Sequence, residues 1–395
     1  MDRRQLLRRG ALGLAAASLV RPGGLLAQAA APLRDPPVFD PIGPIVPVRA
    51  IPDRLFRITV CLRPFRAAGP RIESERVGRK LIVHNYGHGG SGWSLSWGSA
   101  QVALAQVMAA SPREIAVIGA GALGLTMAIT AQRAGLKVTI YAKERFPDVR
   151  SARATGSWTP DSRVAMANGA APGFADLWTR MAHGSYAMWQ SYVGLPGDPV
   201  EWNDRYTLSD LPPDEMRAAM HATEVAGFAH YADRIADITP RSQVFGPGNH
   251  PFAARYALRN SQMMFNVAGL AHMLTDDFLA AGGRIETAEF HEPSELGRLK
   301  EKVIVNCTGY GARALFRDES VVPVRGQIAW LLPQPGVNYG LFYRNVSLLG
   351  RRDGIVVQDM GPDDRFGFGD ANETADRAAA EASVRTIAQL FARPA

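Results

Sequence analysis

Cysteine is scarce: Cys61 and Cys307 are the only two in 395 residues. Two thiols make no disulfide framework, so stability has to come from a hydrophobic core. Both lie in apolar, strand-like runs and read as buried free thiols. Apart from the first 30 residues, no apolar run approaches the length a membrane-crossing helix needs. No cluster of Cys, His and carboxylate has metal-ligand spacing, so no metal is expected. Internal repeats and Lys/Arg blocks are absent from the body of the chain. The formal charge is +7, but Arg3, Arg4, Arg8, Arg9 and Arg21 face only Asp2 before residue 30. About +3 is left without that segment, too weak a field for nucleic acid.

What remains is an ordinary globular composition, 47% apolar and 21% charged, at a length that suits two domains. The basic start has its own logic. Arg3-Arg4-Gln5-Leu6-Leu7-Arg8, the apolar stretch Gly10 to Val20 and Ala27-Gln28-Ala29 resemble a twin-arginine export signal over 1–29. That implies a periplasmic protein with no stable membrane anchor, because the apolar stretch is short. An amphipathic N-terminal helix is the alternative. Residues 30–50 are proline-rich and without period, which reads as an exposed linker.

Periodicity then sets out the elements. Leu55 to Cys61 and Leu81-Ile82-Val83 read as strands, and Trp93 to Ala110 as a helix stopped by Ser111-Pro112. A buried strand at Ile115–Ile118, a helix from Leu123 to Ala134 and a strand at Val138–Tyr141 follow. The order β-α-β-α-β is a mononucleotide-binding pattern extended by one unit upstream. Residues 161 to about 250 lose that rhythm and begin a second domain. Further on, Leu270 to Ala281 reads as a helix, Arg284–Ile285 and Lys302–Val305 as strands, and Ala371 to Phe391 as a last helix.

Two glycine segments carry the chemistry. Gly119-Ala120-Gly121-Ala122-Leu123-Gly124 follows a strand and opens a helix, the context that gives a GxGxxG its value. Gly119 permits the tight turn, Gly121 lets backbone approach a pyrophosphate, and Gly124 lets helix pack on strand. The acid expected to hold a ribose after the next strand is missing: Lys143 stands there and Glu144 follows. Either Glu144 takes the role or the ribose is held differently, and Lys143 would suit a 2′-phosphate. Upstream, His84-Asn85-Tyr86-Gly87-His88-Gly89-Gly90-Ser91-Gly92 holds four glycines, so few side chains bar its backbone from a flat ring. His84 and His88 have the i, i+4 spacing of a helical metal pair, but glycines 87, 89 and 90 make a helix implausible. Hydrogen bonding behind the site is the better role for either histidine.

These segments resemble the D-amino-acid oxidase family of flavoenzymes. In that family HNYGHGG closes the chain and GxGxxG opens it; the reversed order here looks like a circular rearrangement. Further matches are Gly156-Ser157-Trp158-Thr159-Pro160 (the family's GLWQP), Val305-Asn306-Cys307-Thr308-Gly309 (VNCTG), Arg325-Gly326-Gln327-Ile328 (RGQI) and Leu62-Arg63-Pro64-Phe65-Arg66 (FRPVR). The resemblance covers about residues 50 to 370. It implies an α/β fold: a Rossmann-type FAD-binding domain, discontinuous in sequence, with a second α+β substrate domain on an antiparallel or mixed sheet. The FAD-binding parts would be 67–160 and 256–313, and the substrate parts 51–66, 161–255 and 314–395.

By the same resemblance the cofactor is non-covalent FAD. Its holders would be Gly119, Ala120, Gly121, Leu123, Gly124, Lys143, Glu144, Ser151, Gly156, Ser157, Trp158, Thr308 and Gly309. Gly89, Gly90, Ser91, Gly92, Trp93 and Ser94 would meet the flavin edge. Arg63 would hold the carboxylate of a D-amino acid, with Arg66 a poorer candidate, and the Gly90 carbonyl would receive the amine. Hydride would pass from Cα to the flavin, and dioxygen or another acceptor would reoxidise it. The family's two substrate tyrosines, four residues apart, fall on Tyr343 and Ser347 or, after a slide, on Tyr339 and Tyr343. A quinone-linked dehydrogenase, a different amine or imino-acid oxidase and a flavin binder without catalysis stay open. A homodimer is compatible with all of them.

Overall fold

The computed structural model describes residues 42, 44–224 and 227–391. The expected export segment 1–29 and most of the expected linker lie outside the described residues. In chain order the elements are β1 (Leu55–Phe65), β2 (Ser74–Val77), β3 (Lys80–His84), α1 (Gly92–Ala109), β4 (Glu114–Ile118), α2 (Ala122–Arg133), β5 (Lys137–Ala142), α3 (Phe174–Gln190), β6 (Val200–Ser209) and α4 (Pro213–Glu224). There follow β7 (Gln243–Phe245), β8 (Tyr256–Phe265), α5 (Val267–Ala280), β9 (Arg284–Thr287), β10 (Val303–Asn306), α6 (Ala312–Leu315), β11 (Val322–Leu331), β12 (Gly340–Tyr343), β13 (Val346–Arg351), β14 (Gly354–Asp359) and α7 (Arg377–Ala388).

The strands form two sheets. Six strands run in the order β2-β3-β10-β4-β5-β9, all parallel except the edge strand β2. Strands such as β4, Glu-Ile-Ala-Val-Ile, are apolar on both faces because helices or loops cover both. Ile115 and Val117 point into a large core with α1, α2, α3 and α5. Ala116 and Ile118 point into a smaller one, closed by Leu296 and Leu299. α2 is buried nearly all round, as a helix wedged between a sheet and other helices must be. The second sheet runs β1-β11-β14-β13-β12-β6-β8-β7, antiparallel except for β12 beside β6. α7 covers one of its faces, and Met264, Ile328, Trp330, Leu349 and Val356 mark the other.

Four expected boundaries move. Tyr256–Phe265, expected in the FAD-binding part, is β8, paired along its length with β6 in the eight-stranded sheet; the nucleotide layer resumes at α5. Within 161–255, α3 packs on α1 with its Trp178, Met181 and Trp189 fully buried. A Cβ on Gly98 of α1 would collide with the Met181 backbone, which is why the two helices can approach so closely. The described part of 30–50 is also no exposed linker. Val48 and Ala50 are buried, Gln334 bonds Arg49 N and Pro47 O at 2.9 and 2.8 Å, and Tyr339 Oη donates to Val46 O at 2.6 Å. Its lack of period reflects extended backbone satisfied by side chains from elsewhere. The last helix begins only at Arg377, capped by the Asp376 carboxylate at Ala379 N, because 371–376 is tied to Arg325 and Gln327.

Candidate active site

A single cleft is lined by both glycine segments. β3, β10 and β4 are parallel neighbours in the six-stranded sheet, so the turns after β3 and β4 open on the same edge. After β4, Gly119 takes φ +104, and a Cβ there would stand 2.7 Å from Cys307 O. No side chain caps α2 at Gly121, and Ala122 N donates to Ser151 Oγ at 3.1 Å. The helix N-terminus therefore presents backbone donors and a positive dipole end to the cleft. Gly119, Ala120, Gly121, Leu123 and Ser151 line it. Gly124 stands behind, where a Cβ would strike Gly119 O; its contribution is to packing, not to contact.

After β3, Gly89 has φ +57 and lies so near Arg163 O that a Cβ would collide. Gly90 N donates to Ser162 O at 2.9 Å. α1 starts at Gly92 without a side-chain cap, and Gly92, Trp93 and Ser94 face the cleft together with Gly89 and Gly90. Ser91 turns away, its hydroxyl donating to Ser162 O at 3.2 Å, which corrects its expected place at the flavin edge. Gly156, Ser157, Thr308 and Gly309 complete this part of the wall. Trp158 does not: it is buried with its ring against Tyr186, because the Trp158 backbone is pinned to Met263 and Gln262.

The two histidines of the loop sit in buried hydrogen-bond chains, and no metal-binding cluster occurs among the described residues. Asn306 Nδ2 donates to His84 Nδ1 at 3.1 Å, so His84 carries its proton on Nε2 and donates to Glu75 at 2.8 Å. Asn306 Oδ1 accepts from Thr308 Oγ1 at 2.7 Å, which ties this chain to the cleft wall. Ser99 donates to Asn85 Oδ1 and accepts from His88 Nε2 at 2.8 Å, leaving His88 Nδ1 without a partner. Burial holds the His88 pKa near 3, so the ring is neutral and Nδ1 is a bare acceptor on a residue that lines the cleft.

Arg63, on β1, lines the same cleft. Its hydrogen bond is long, Nη1 to Arg325 O at 3.4 Å, and no carboxylate pairs with it among the described residues. Burial, with Arg163 adding repulsion, lowers its pKa to about 10, and it remains a cation. The guanidinium lies on the bare face of Gly326, where a Cβ would stand 2.5 Å from Nη2. Arg66 is engaged instead by Ser320, Gly69 O and Asp318. Tyr343 falls on the wrong face. Its ring is buried with the α7 side of the sheet, as is Tyr339, while Phe342 and Ser347, paired across β12 and β13, occupy the opposite face. Strand alternation decides this, and the four-residue spacing could not. Cys61 is half-buried and lines the cleft; only Cys307 is the fully buried thiol expected.

At the other end Lys143 and Glu144 line the cleft, and Lys143 meets Glu289 at 3.4 Å. Glu289 and His291, in the loop after β9, were not legible as site residues because no motif marks that loop. With Lys143 paired to a carboxylate, nothing here favours a 2′-phosphate. Arg150 is likewise engaged, by Glu373 at 2.8 Å.

The family described as FAD dependent oxidoreductase matches residues 114–395. A D-amino-acid oxidase of Streptomyces coelicolor is 29% identical over 231 residues, 57% of this chain and 61% of the relative. A D-amino acid oxidase of Dugesia ryukyuensis is 22% identical over 253 residues, 62% of this chain and 68% of the relative. The match to the first thus spans 61% of its length. Among solved structures, glycine oxidase from Bacillus cereus ATCC 14579 has a TM-score of 0.47 at 13% identity, over 70% of this chain and 78% of that one, a loose likeness.

Proposed function

The chain belongs to the FAD dependent oxidoreductase family, and from that premise we propose that it oxidises D-amino acids to 2-oxo acids, releasing ammonia. With dioxygen as acceptor the second product is hydrogen peroxide. The observation that carries this reading is Arg63: a guanidinium with no acid partner among the described residues, in the cleft that both glycine segments line. A guanidinium fork is the side chain best shaped for a carboxylate.

The residues present fit FAD. Gly119 and Gly121 line the cleft as bare backbone, where a Cβ would crowd Cys307 O and Ser151 Oγ, and Nδ1 of His88 has no donor among the described residues. Gly119 to Leu123 with Ser151 would hold the pyrophosphate, Glu144 or Glu289 the ribose, and Gly89, Gly90, Gly92, Trp93, Ser94, Ser157 and Thr308 the ring. FAD, when bound, supplies the acceptor for the two electrons of the Cα–H bond. Arg63 would fix the carboxylate, and Gly90, its N–H spent on Ser162, would offer its carbonyl to the amine. The uncapped start of α1 favours negative charge developing nearby. None of this asks for a strong base if the amine arrives neutral, so orientation and exclusion of water do most of the work.

We also read the chain as a circular rearrangement of the family and as an exported protein. The first is supported by a family match that starts at Glu114, after the HNYGHGG segment, and by the shared cleft. The second rests on the sequence of residues 1–29. A visible spectrum and peroxide release with paired D- and L-amino acids test the main proposal. Yellow protein that releases peroxide with D-enantiomers is expected. Turnover confined to L-enantiomers overturns the stereochemical assignment, and turnover with a quinone but not dioxygen makes it a dehydrogenase.

A further inference from the structure

Arg205 stands on β6 opposite Gly340 of β12. A Cβ on Gly340 would come within 3.1 Å of Arg205 Cγ, so the glycine leaves room for the arginine stem. The guanidinium reaches three neutral oxygens. Nη1 donates to Gln262 Oε1 at 3.0 Å and Ser157 Oγ at 3.3 Å, and Nη2 donates to Ser347 Oγ at 2.8 Å. Ser157 is part of the cleft wall. Ser347 lies on the same face of the sheet, away from the α7 side.

No carboxylate pairs with Arg205 among the described residues, and loss of solvent alone pulls its pKa down. The two buried arginines have acids: Arg163 has Asp364 and Arg351 has Asp353. Arg63, half-buried like Arg205, has none among the described residues, and it has been given the α-carboxylate. Keeping a desolvated cation with no counter-charge is costly unless a ligand brings the anion. The two guanidiniums share no hydrogen-bond partner: Arg63 lies on Gly326 and Arg325 O, Arg205 on Gln262, Ser157 and Ser347.

We propose that Arg205 binds a second carboxylate, on the substrate side chain, so that the substrates are dicarboxylic amino acids of the aspartate and glutamate type. This rests on the amino-acid oxidase reading and narrows it. Ser347, Ser157 and Gln262 orient the fork, and Gly340 gives it room.

The test uses the flavin-loaded protein and isosteric pairs, D-aspartate with D-asparagine and D-glutamate with D-glutamine. A charge-assisted bond predicts kcat/KM for the acid about 10- to 100-fold above the amide in at least one pair. In Arg205→Gln that ratio is expected to collapse to near unity through loss on the acid, with the amide retained; Arg205→Lys should keep part of it. Amides equal to or better than both acids in the wild type would overturn the proposal. So would acid and amide falling together in Arg205→Gln. If that variant does not fold, the wild-type ratios decide the matter. Should the wild type oxidise no D-amino acid, the oxidase reading fails, and Arg205 is then read from binding. Titrations of the flavin spectrum with succinate and with succinamate should show succinate at least about tenfold tighter, and equal affinities would sink the assignment.

Discussion

Replacing Gly326 with alanine should separate stability from activity. The backbone of Gly326 does not lie in the left-handed region, so alanine suits it. In a strand that change removes freedom from the unfolded chain and stabilises by about 0.4–1 kcal/mol. The new methyl, however, would stand 2.5 Å from Arg63 Nη2 and 2.8 Å from Cζ and Nη1. Ordinary contact between such atoms is about 3.5–4.0 Å, so the guanidinium must move by about 1 Å. A long side chain makes that shift at little cost to folding. A substrate held by that fork does not tolerate it, since a misplacement of about 1 Å costs on the order of 100-fold in rate.

The melting temperature of Gly326→Ala should therefore equal or slightly exceed that of the wild type, with FAD retained. Its kcat/KM should fall about 100-fold, chiefly through KM. Arg63→Ala, which deletes the fork, should fall further, by about 2–5 kcal/mol of transition-state binding. Steady-state peroxide release and competitive titration with a small carboxylate measure both. A Gly326→Ala enzyme with wild-type KM and carboxylate affinity would refute the placement of Arg63 as the carboxylate anchor.

Three further outcomes follow from the same geometry. Gly124→Val should drive side-chain atoms into Gly119 O and yield a protein without yellow absorbance, about 1–3 kcal/mol less stable. Lys143→Ala should change FAD affinity by less than about 1 kcal/mol, because Lys143 is 58% exposed and meets Glu289 at 3.4 Å; a larger loss would place a phosphate there. For His88, burial lowers the pKa to about 3, from about 6.5 for an exposed histidine. The unfolded chain takes up a proton that the folded protein refuses, so stability is complete above about 6.5 and falls as pH drops towards 3. At pH 5 the expected loss is about 2 kcal/mol. His88→Gln should flatten the melting temperature between pH 7 and 5, His84 keeping its own dependence of the same sign.

Much of the fold was legible because parallel strands and their helices announce themselves through apolar runs with glycine at the turns. β4, α2 and β5 fall within a residue or so of their expected limits for that reason. The site was legible where backbone makes it, at Gly119, Gly121, Gly89 and Gly90. It was not legible where side-chain direction makes it. Tyr343 and Ser347 differ in position by four, but a turn lies between their strands, so they face opposite sides of the sheet. Trp158 sits between two wall residues and points into the core. Arg205 belongs to no motif. It stands out only once the absence of an acid beside it is visible, and that is a property of partners distant in sequence.

The joint between the two glycine segments gives the sharpest test of the rearrangement. Only Ala110 to Arg113 links α1 to β4, and Ser111 there has φ +46. The described residues upstream are held by other means. β1 pairs with β11 from Leu55↔Leu331 to Phe65↔Val322, and β3 pairs with β10 from Leu81↔Val303 to His84↔Asn306. α1 is packed between α2 and α3 in the main core. A connector that merely joins two docked pieces contributes effective concentration, not contacts. A protease site placed in 110–113 and then cut should therefore leave two fragments that elute together and stay yellow. Separation of the fragments with loss of flavin would mean that the covalent order across this joint is itself needed to hold the cleft shut.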